Sequence, residues 1–398
     1  MSMQSRPQAR ALDGFRVLDF SILIAGPYCA RMLADVGADV IKIEPPEGDD
    51  MRLRQPQRDG HSTYFGQLNA GKRSIALDLK RPDAIALIHR LVAETDVVVE
   101  NFRPGVMERL GLGYEALRKI NARLVYCSIS GYGQTGPAAS RAAYAMIVQA
   151  ESGFDTALMR YAGDRDVPAP SAIFIADALG AIFGYSAIQT ALVQRGRTNL
   201  GQHVDVALLD CMSNLLIYEL QEAQFPVAVP RFSYGPVRAT DGTILITPVT
   251  ARNFDALCEV TGLPELRESR FATIPSRGAN WAAMMAIVET WTIQRTVREC
   301  VQAFDAEGVP CAAYGDPGDQ LKNAHLLARG LFSPVSDGAG AFLGVSPPWQ
   351  MSASASNIHG TVPAIGEHRR AILGEMLGIA DAEQERLAAA GVFGKGRA

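Results

Sequence analysis

No C-x-x-C pair and no H-E-x-x-H motif occurs in this 398-residue chain. The six cysteines (Cys29, Cys127, Cys211, Cys258, Cys300, Cys311) are scattered, which argues against a disulfide framework or a zinc site and for free thiols in a reducing compartment. The six histidines are equally dispersed, so no metal centre is expected. The opening stretch MSMQSRPQAR has no apolar core of a secretory signal, and a cytoplasmic location is expected. Basic residues are not in excess: the formal net charge is −4, so neither nucleic acid nor a membrane surface is indicated as a partner. Glycine and proline are not over-represented, and with 48% hydrophobic and 20% charged residues the composition is that of a soluble globular protein. The length admits two or three domains.

One long apolar run stands out, SAIFIADALGAIFGYSAIQTALV at residues 171–193. It carries Asp177, Gly180, Gly184 and Gln189, and a central Asp opposes membrane insertion by ~2.5–3.5 kcal/mol. A buried soluble helix fits better. An Asp ahead of a helical pattern reads as an N-cap, accepting a backbone N–H and meeting the positive end of the dipole. The same position keeps a carboxylate ionised, and an ionised carboxylate can attack an acyl carbon. The pattern alone favours the cap, and the two roles are compatible.

The first third alternates strands (15–21, 38–44, 73–79, 96–102, 122–130) with helical patterns, among them a helix begun near Pro27 and closed at Gly37, and another over 81–95. This predicts an α/β fold with a doubly wound, Rossmann-like parallel sheet, whose ligands lie beyond the carboxyl ends of its strands. The loops of interest are therefore SILIAGP, EPPEGDDMR, NFRPG and SGYGQTGP. GYGQTGP contains a literal G-x-G-x-x-G, but no helix opens at once after it. It is no dinucleotide fingerprint, and a tight turn or a backbone approach to ligand both remain open. Lys72, Arg73, Lys80, Arg81, Arg103 and Arg109 form a basic set near strand ends, suited to a phosphate-bearing ligand if they converge. The middle of the chain reads as a smaller α+β domain, with a hairpin and helix over 240–262, two helices over 279–308 and a short strand at 309–316. Residues 333–361 read as loop, followed by two terminal helices.

The stretches GFRVLDFS, AGPYCARMLADVGADVIKIEPPEGDDMR, NAGKRSIALDLK, VVENFRPGVMERLGLGYEAL, SISGYGQTGP, GQHVDVALLD and PAIGEH match, in order and spacing, those of class III CoA-transferases. That group includes formyl-CoA transferase and the carnitine CoA-transferase and is related to the α-methylacyl-CoA racemases. The resemblance implies a large CoA-binding domain from 1–215 and 330–398, a small domain from 225–325, and an interlocked homodimer. It implies that Asp177 is the catalytic aspartate, forming a mixed anhydride and then an aspartyl-CoA thioester. It places Ile24, Ala25, Leu77, Lys80, Asn101, Phe102, Arg103, Arg109, Tyr144 and Ala145 along coenzyme A or the thioester. The N–H groups near Ala25 and Gly26 are candidates for the oxyanion. CoA enters as a substrate, with no tightly bound cofactor and no metal.

Three departures from formyl-CoA transferase stand out. Ile24 replaces a polar residue, Ala145 replaces an acid, and a run of glycines is reduced to SYGPV with Gly235 alone. They argue against oxalate and formyl-CoA and for an apolar pocket taking a larger acid such as succinate, itaconate or mesaconate. A 2-methylacyl-CoA racemase and a non-catalytic CoA-binding protein are the alternatives. The racemase branch carries a His–Asp pair where this chain has Tyr144–Ala145.

Overall fold

The computed structural model describes residues 9–163, 165–228 and 231–393. Two compact units emerge: Met1–Phe154 with Ser171–Leu216 and Ala324–Ala398, and Asp155–Pro170 with Ile217–Asn323.

The first unit is built on a six-stranded sheet. Its strands are β1 (Arg16–Asp19), β2 (Asp39–Glu44), β5 (Arg73–Ala76), β6 (Val97–Glu100), β7 (Val125–Ser130) and β8 (His203–Ala207), with a small hairpin, β3 (Gln57–Arg58) and β4 (His61–Ser62), set apart. All six pair in parallel, in the order β5-β2-β1-β6-β7-β8. The order reverses between β1 and β6, and the crevice beyond their carboxyl ends is where such sheets take ligands.

A parallel sheet covered on both faces needs apolar residues on both, and alternate residues divide between two layers. Val17, Val97, Val99, Cys127 and Ile129 face one layer, and Leu18, Val98 and Tyr126 the other. The first layer holds α1 (Ala25–Asp35) and α8 (Ile175–Thr198). The second holds α3 (Pro82–Ala93), which starts on Pro82 and buries Ala84, Leu87, Ile88 and Leu91 at helical spacing. The chain's last helices, Arg369–Leu377 and Asp381–Ala389, complete that layer with Ile372, Leu373 and Leu387. Shorter helices fill the connections: α2 (Thr63–Asn69), α4 (Val106–Arg109), α5 (Tyr114–Leu117), α6 (Ala145–Glu151) and α9 (Leu208–Leu215), while α7 (Phe154–Ala162) falls almost wholly in the second unit.

The 24-residue α8 is, among the described residues, the one helix long and apolar enough to cross a membrane. One face of it is packed nonetheless: Ala176, Gly180, Ala181, Gly184, Ile188 and Ala191 are buried. The two glycines permit close approach, since a Cβ on Gly180 would lie 2.3 Å from Leu208 Cδ2 and one on Gly184 3.0 Å from Ile129 Cδ1.

The second unit has an antiparallel sheet of Val237–Arg238, Thr243–Ile246 and Cys311–Ala313. The helices Ala251–Thr261, Trp281–Thr292 and Val297–Ala306 pack on it through Phe254, Leu257, Met284, Val288, Cys300 and Phe304. The break between the last two is set by Thr296, which forms a capping box with Glu299. Two sequence expectations differ from what is seen. Residues 155–170, expected in the large domain, group with the second unit, where the Tyr161 hydroxyl donates to Glu219 at 2.6 Å. The stretch expected as loop from 333 carries an antiparallel hairpin, Phe332–Asp337 with Gly340–Val345, turned by an Asp-Gly step and closed by Gly340 at φ +102°.

Beneath the carboxyl ends of β1, β2 and β5 lies a buried ionic network. Lys72 Nζ donates to Asp19 Oδ2 (2.7 Å), Asn69 Oδ1 (2.8 Å) and the Pro27 carbonyl (2.9 Å). Lys42 Nζ reaches Asp49 (3.0 Å) and the Ser21 carbonyl (2.8 Å). Glu44 accepts from Arg52 (2.7 Å) and Ser74 (2.6 Å). The carboxylates Asp19, Glu44 and Asp49 balance Lys42, Lys72 and Arg52. Burial opposes the charge on Asp19, but the Lys72 and Lys42 ammonium groups outweigh it and hold the carboxyl below its ordinary range. Removing one member strands the others. Asp19→Asn is expected to lower unfolding stability by about 3–5 kcal/mol; a urea titration showing a loss under about 1 kcal/mol, as for a surface pair, would contradict the network's role.

Candidate active site

Asp177 lies in the first turn of α8 but does not cap it. The cap residue is Phe174, with no side-chain hydrogen bond, and Asp177 is the third helical residue. The N-cap expectation is therefore corrected. The helix start does not hold the carboxyl low, because burial pushes it up to about 6 from 3.8; at neutral pH it is still largely ionised. That displacement corresponds to about 3 kcal/mol, against roughly 0.3–1 kcal/mol from a helix terminus. Among the described residues no hydrogen bond or ion pair engages the carboxylate. It is a lone, largely desolvated acid.

Its surroundings come from the β1–α1 loop and α2. Gly180 follows Asp177 by one turn on the same face, and a Cβ there would sit 3.8 Å from Ala25 Cβ, so the carboxylate lies on the side of α8 that meets the start of α1. Tyr64 on α2, capped by Ser62 (3.1 Å to Phe65 N), has its phenol pushed up by its own burial and by the charge of Asp177. Ile24, Leu23 and Tyr28 pack with Tyr64 against Met51, Phe65 and Leu68. Tyr64 was not singled out in the sequence; α2 and α8 lie far apart in the chain, and no local pattern joins them.

The β1–α1 loop is held unusually tightly. Leu23 adopts φ +62°, a conformation costly for a non-glycine residue. Asn101 bridges from the end of β6, accepting from Ile22 N and donating to the Ile22 carbonyl, each at 2.8 Å. Lys42 and Lys72 anchor the loop at Ser21 and Pro27. Gly26 is demanded by contact: a Cβ there would lie 2.2 Å from Ser21 Cβ and 3.3 Å from Asn101 Cγ.

The other expected residues are placed as follows. Ile24 is the N-cap of α1, and Ala25 its buried first residue. Asn101, Phe102 and Arg103 form the turn after β6, with Asn101 and Phe102 half-buried and Arg103 exposed. Arg109 is exposed on α4, its guanidinium near Gly105. Leu77 is buried, with its N–H on the Glu44 carbonyl. Tyr144 is the exposed N-cap of α6, and Ala145 is buried behind it. Lys80 is exposed beyond β5, at the sheet's edge and three strands from β6.

The expected basic convergence is only partial. Lys72 belongs to the buried network, Arg73 pairs with Asp39 and Glu375, and Arg81 pairs with Asp78. Among the described residues Lys80, Arg103 and Arg109 have no anionic partner. The GYGQTGP segment resolves as a tethered turn, with Gly133 and Gly136 at positive φ and Gln134 N donating to Asp205 at 2.9 Å. No group of His, Cys, Asp and Glu suited to a metal occurs among the described residues. A cavity of about 940 Å³ beside β2, with Arg52, Arg369 and Arg370 in its wall, does not include Asp177.

A desolvated carboxylate beside a rigid loop, with free cations beyond neighbouring strands, suits acyl chemistry on a phosphate-bearing thioester. Comparison with known sequences agrees. The profile of CoA-transferase family III matches residues 12–369, and the chain belongs to that family. It is 37% identical to a succinate–glutarate CoA-transferase of Agrobacterium fabrum, covering 92% of this chain and 95% of the other. It is 34% identical to a succinyl-CoA–D-citramalate CoA-transferase of Chloroflexus aurantiacus, covering 95% and 97%. A crystal structure of a CAIB/BAIF family protein from Brucella suis superposes with a TM-score of 0.80 at 35% identity, covering 93% of this chain and all of that one. The protein is a CoA-transferase that works between CoA thioesters and carboxylic acids.

The tightness of the loop is testable at Gly26. Gly26→Ala is expected to cost about 1–3 kcal/mol through overpacking. Gly196→Ala, where a Cβ meets nothing within 4 Å, is expected to be neutral or to stabilise α8 by up to about 1 kcal/mol. Equal effects in denaturant titrations would contradict the close approach of α1 to Ser21.

Proposed function

We propose that this protein transfers CoA from an acyl-CoA to a free dicarboxylic acid through a covalent intermediate on Asp177. The observation that carries the reading is the lone, unpaired, desolvated carboxylate of Asp177 beside the start of α1. Asp177 attacks the donor carbonyl, giving a mixed anhydride and CoA thiolate. The thiolate attacks the aspartyl carbonyl, freeing the donor acid and leaving an aspartyl-CoA thioester. The acceptor carboxylate attacks that carbonyl, and the thiolate takes the acceptor's acyl group and restores Asp177. One difficult exchange is thereby divided into easier acyl transfers. The first N–H groups of α1, at Ala25 and Gly26, lack intrahelical acceptors and are suited to the developing oxyanion.

The turn Asn101–Arg103, with Arg109 and Lys80, is assigned to the phosphates and adenine of CoA. Free cations support this, and Leu77 and Tyr144 belong to the same reading. The acid is of the succinate, glutarate, itaconate or mesaconate class. The names of the relatives support this, as does apolar Ile24 at the loop.

A second copy of the chain is assigned to the outer face of α8. Ile182, Phe183 and Val193 (68% exposed) are exposed apolar side chains of α8, and Ile173 (73%) lies just before the helix. A homodimer, interlocked as the resemblance implies, would cover them. The cysteines are all free, which suits the reducing cytoplasm.

Asp177→Asn is expected to lower kcat by more than about a thousandfold while CoA still binds. Hydroxylamine added to wild type during turnover should label the peptide that contains Asp177. In the wild type kcat should rise with pH through about 6 and then level, as the raised carboxyl ionises. Rapid turnover by the variant, or a label elsewhere, would overturn the assignment.

A further inference from the structure

A second unusual carboxylate closes β6. Glu100 is 4% exposed and pairs in register with Ser128 of β7, which faces Asp205 of β8. Its Oε2 accepts from Phe102 N at 2.9 Å, so the acid folds back on the turn that carries Asn101, Phe102 and Arg103. The Ser128 hydroxyl bonds the Glu100 carboxyl and stands 2.9 Å from His203 Nε2. The imidazole is fixed between Tyr114 of α5, stacked at 5.2 Å, and Tyr126, edge-on at 5.3 Å.

This is not a hydrolytic triad. The carboxylate sits on the hydroxyl rather than on the imidazole, and Ser128 is 1% exposed. With His203 Nε2–H donating to Ser128, and Ser128 donating to Glu100, the donors run in one direction and end on the acid that holds the turn. We propose that Glu100 is a positioning residue for CoA recognition: its carboxylate holds the Phe102 N–H, sets the Asn101–Gly105 turn in its binding form, and loosens that turn when it takes up a proton. The proposal rests on the assignment of this turn to CoA.

The groups around Glu100 make the proton available near neutral pH. Burial comes first, and Glu108 of α4 and Asp205 of β8 add like charge. Ser128 and Phe102 N oppose them, and the carboxyl is pushed up to about 7. Burial holds His203 toward its neutral form despite Asp205, Glu108 and Glu115. Asp205 is itself engaged by Gln134 N, and Tyr126 donates to the Leu112 carbonyl (3.1 Å).

The test is the Kd of CoA itself, which avoids the ionisation of Asp177 during turnover. Glu100→Gln copies the protonated acid. Dividing its Kd by that of wild type at each pH removes the ionisation of the ligand. The ratio is expected to lie near one at about pH 6 and to rise to about fivefold by about pH 8, the worth of one hydrogen bond gaining charge. A ratio that does not change with pH would overturn the proposal. If Glu100→Gln does not fold, as judged by circular dichroism, Ser128→Ala carries the test. Loss of its hydroxyl should weaken binding near neutral pH and leave it unchanged in alkali, and a Kd that follows wild type throughout would overturn the proposal. Arg103→Ala separates the underlying assignment. If it leaves Kd unchanged, the assignment of the turn to CoA fails, and the proposal with it. If it raises Kd while the Glu100 variants behave as wild type, only the positioning role fails.

Discussion

The ion pair between Asp19 and Lys72 is the constraint on which the site depends. Both side chains are fully buried, and neither charge is tolerable there alone. Paired, they draw in Lys42, Asp49, Glu44 and Arg52, and the network's spare donors end on the backbone of the β1–α1 loop at Ser21 and Pro27. A loop that is usually among the softer parts of a fold is here fastened from below by two ammonium groups and from the side by Asn101. The glycine at 26 answers to that fastening, since a Cβ there would lie 2.2 Å from Ser21 Cβ, and the left-handed Leu23 lies in the same loop.

The two aspartates show how environment divides one chemistry into two roles. Asp19 is deeper than Asp177, yet its carboxyl is lowered because cations surround it. Asp177 is less buried and its carboxyl is raised because nothing pairs with it. A paired acid is structural and inert; an unpaired acid with a raised carboxyl is a group kept for chemistry. The close helix–helix contact through Gly180 and Gly184 allows α8 to bring that acid against the start of α1. Glu100 stands between these cases, bonded to the turn it shapes but surrounded by like charge.

Much of this was legible in the sequence, for physical reasons. The strands of the first third are buried on both faces, so their apolar runs were unmistakable, and Pro27 and Gly37 marked the first helix to within two residues at each end. Asp177 was visible as the one charge in an apolar run. Its position within the helix was not, because capping depends on backbone angles that shift by a few residues without changing the pattern. The basic residues were visible as a set, but their fates were not. Lys72 and Lys80 look alike in the chain, and only the fold sends one into the network and the other to solvent. The hairpin after residue 331 was hidden by its glycines and serines, although its Asp-Gly turn was a usable signal. Tyr64 and the Ser128–His203 contact join segments far apart in sequence, and one chain read alone offers no trace of them.

The central claim is that a fastened loop keeps water from Asp177 and so sets its reactivity. The direct measurement is the titration of the Asp177 carboxyl, by carbon-13 NMR, in a variant whose loop is released. Asn101→Ala removes both bonds to Ile22 without touching the acid. The account predicts a midpoint of about 6 in wild type and a fall toward 3.8 in the variant as water reaches the carboxylate. An unchanged midpoint in a folded variant would contradict it.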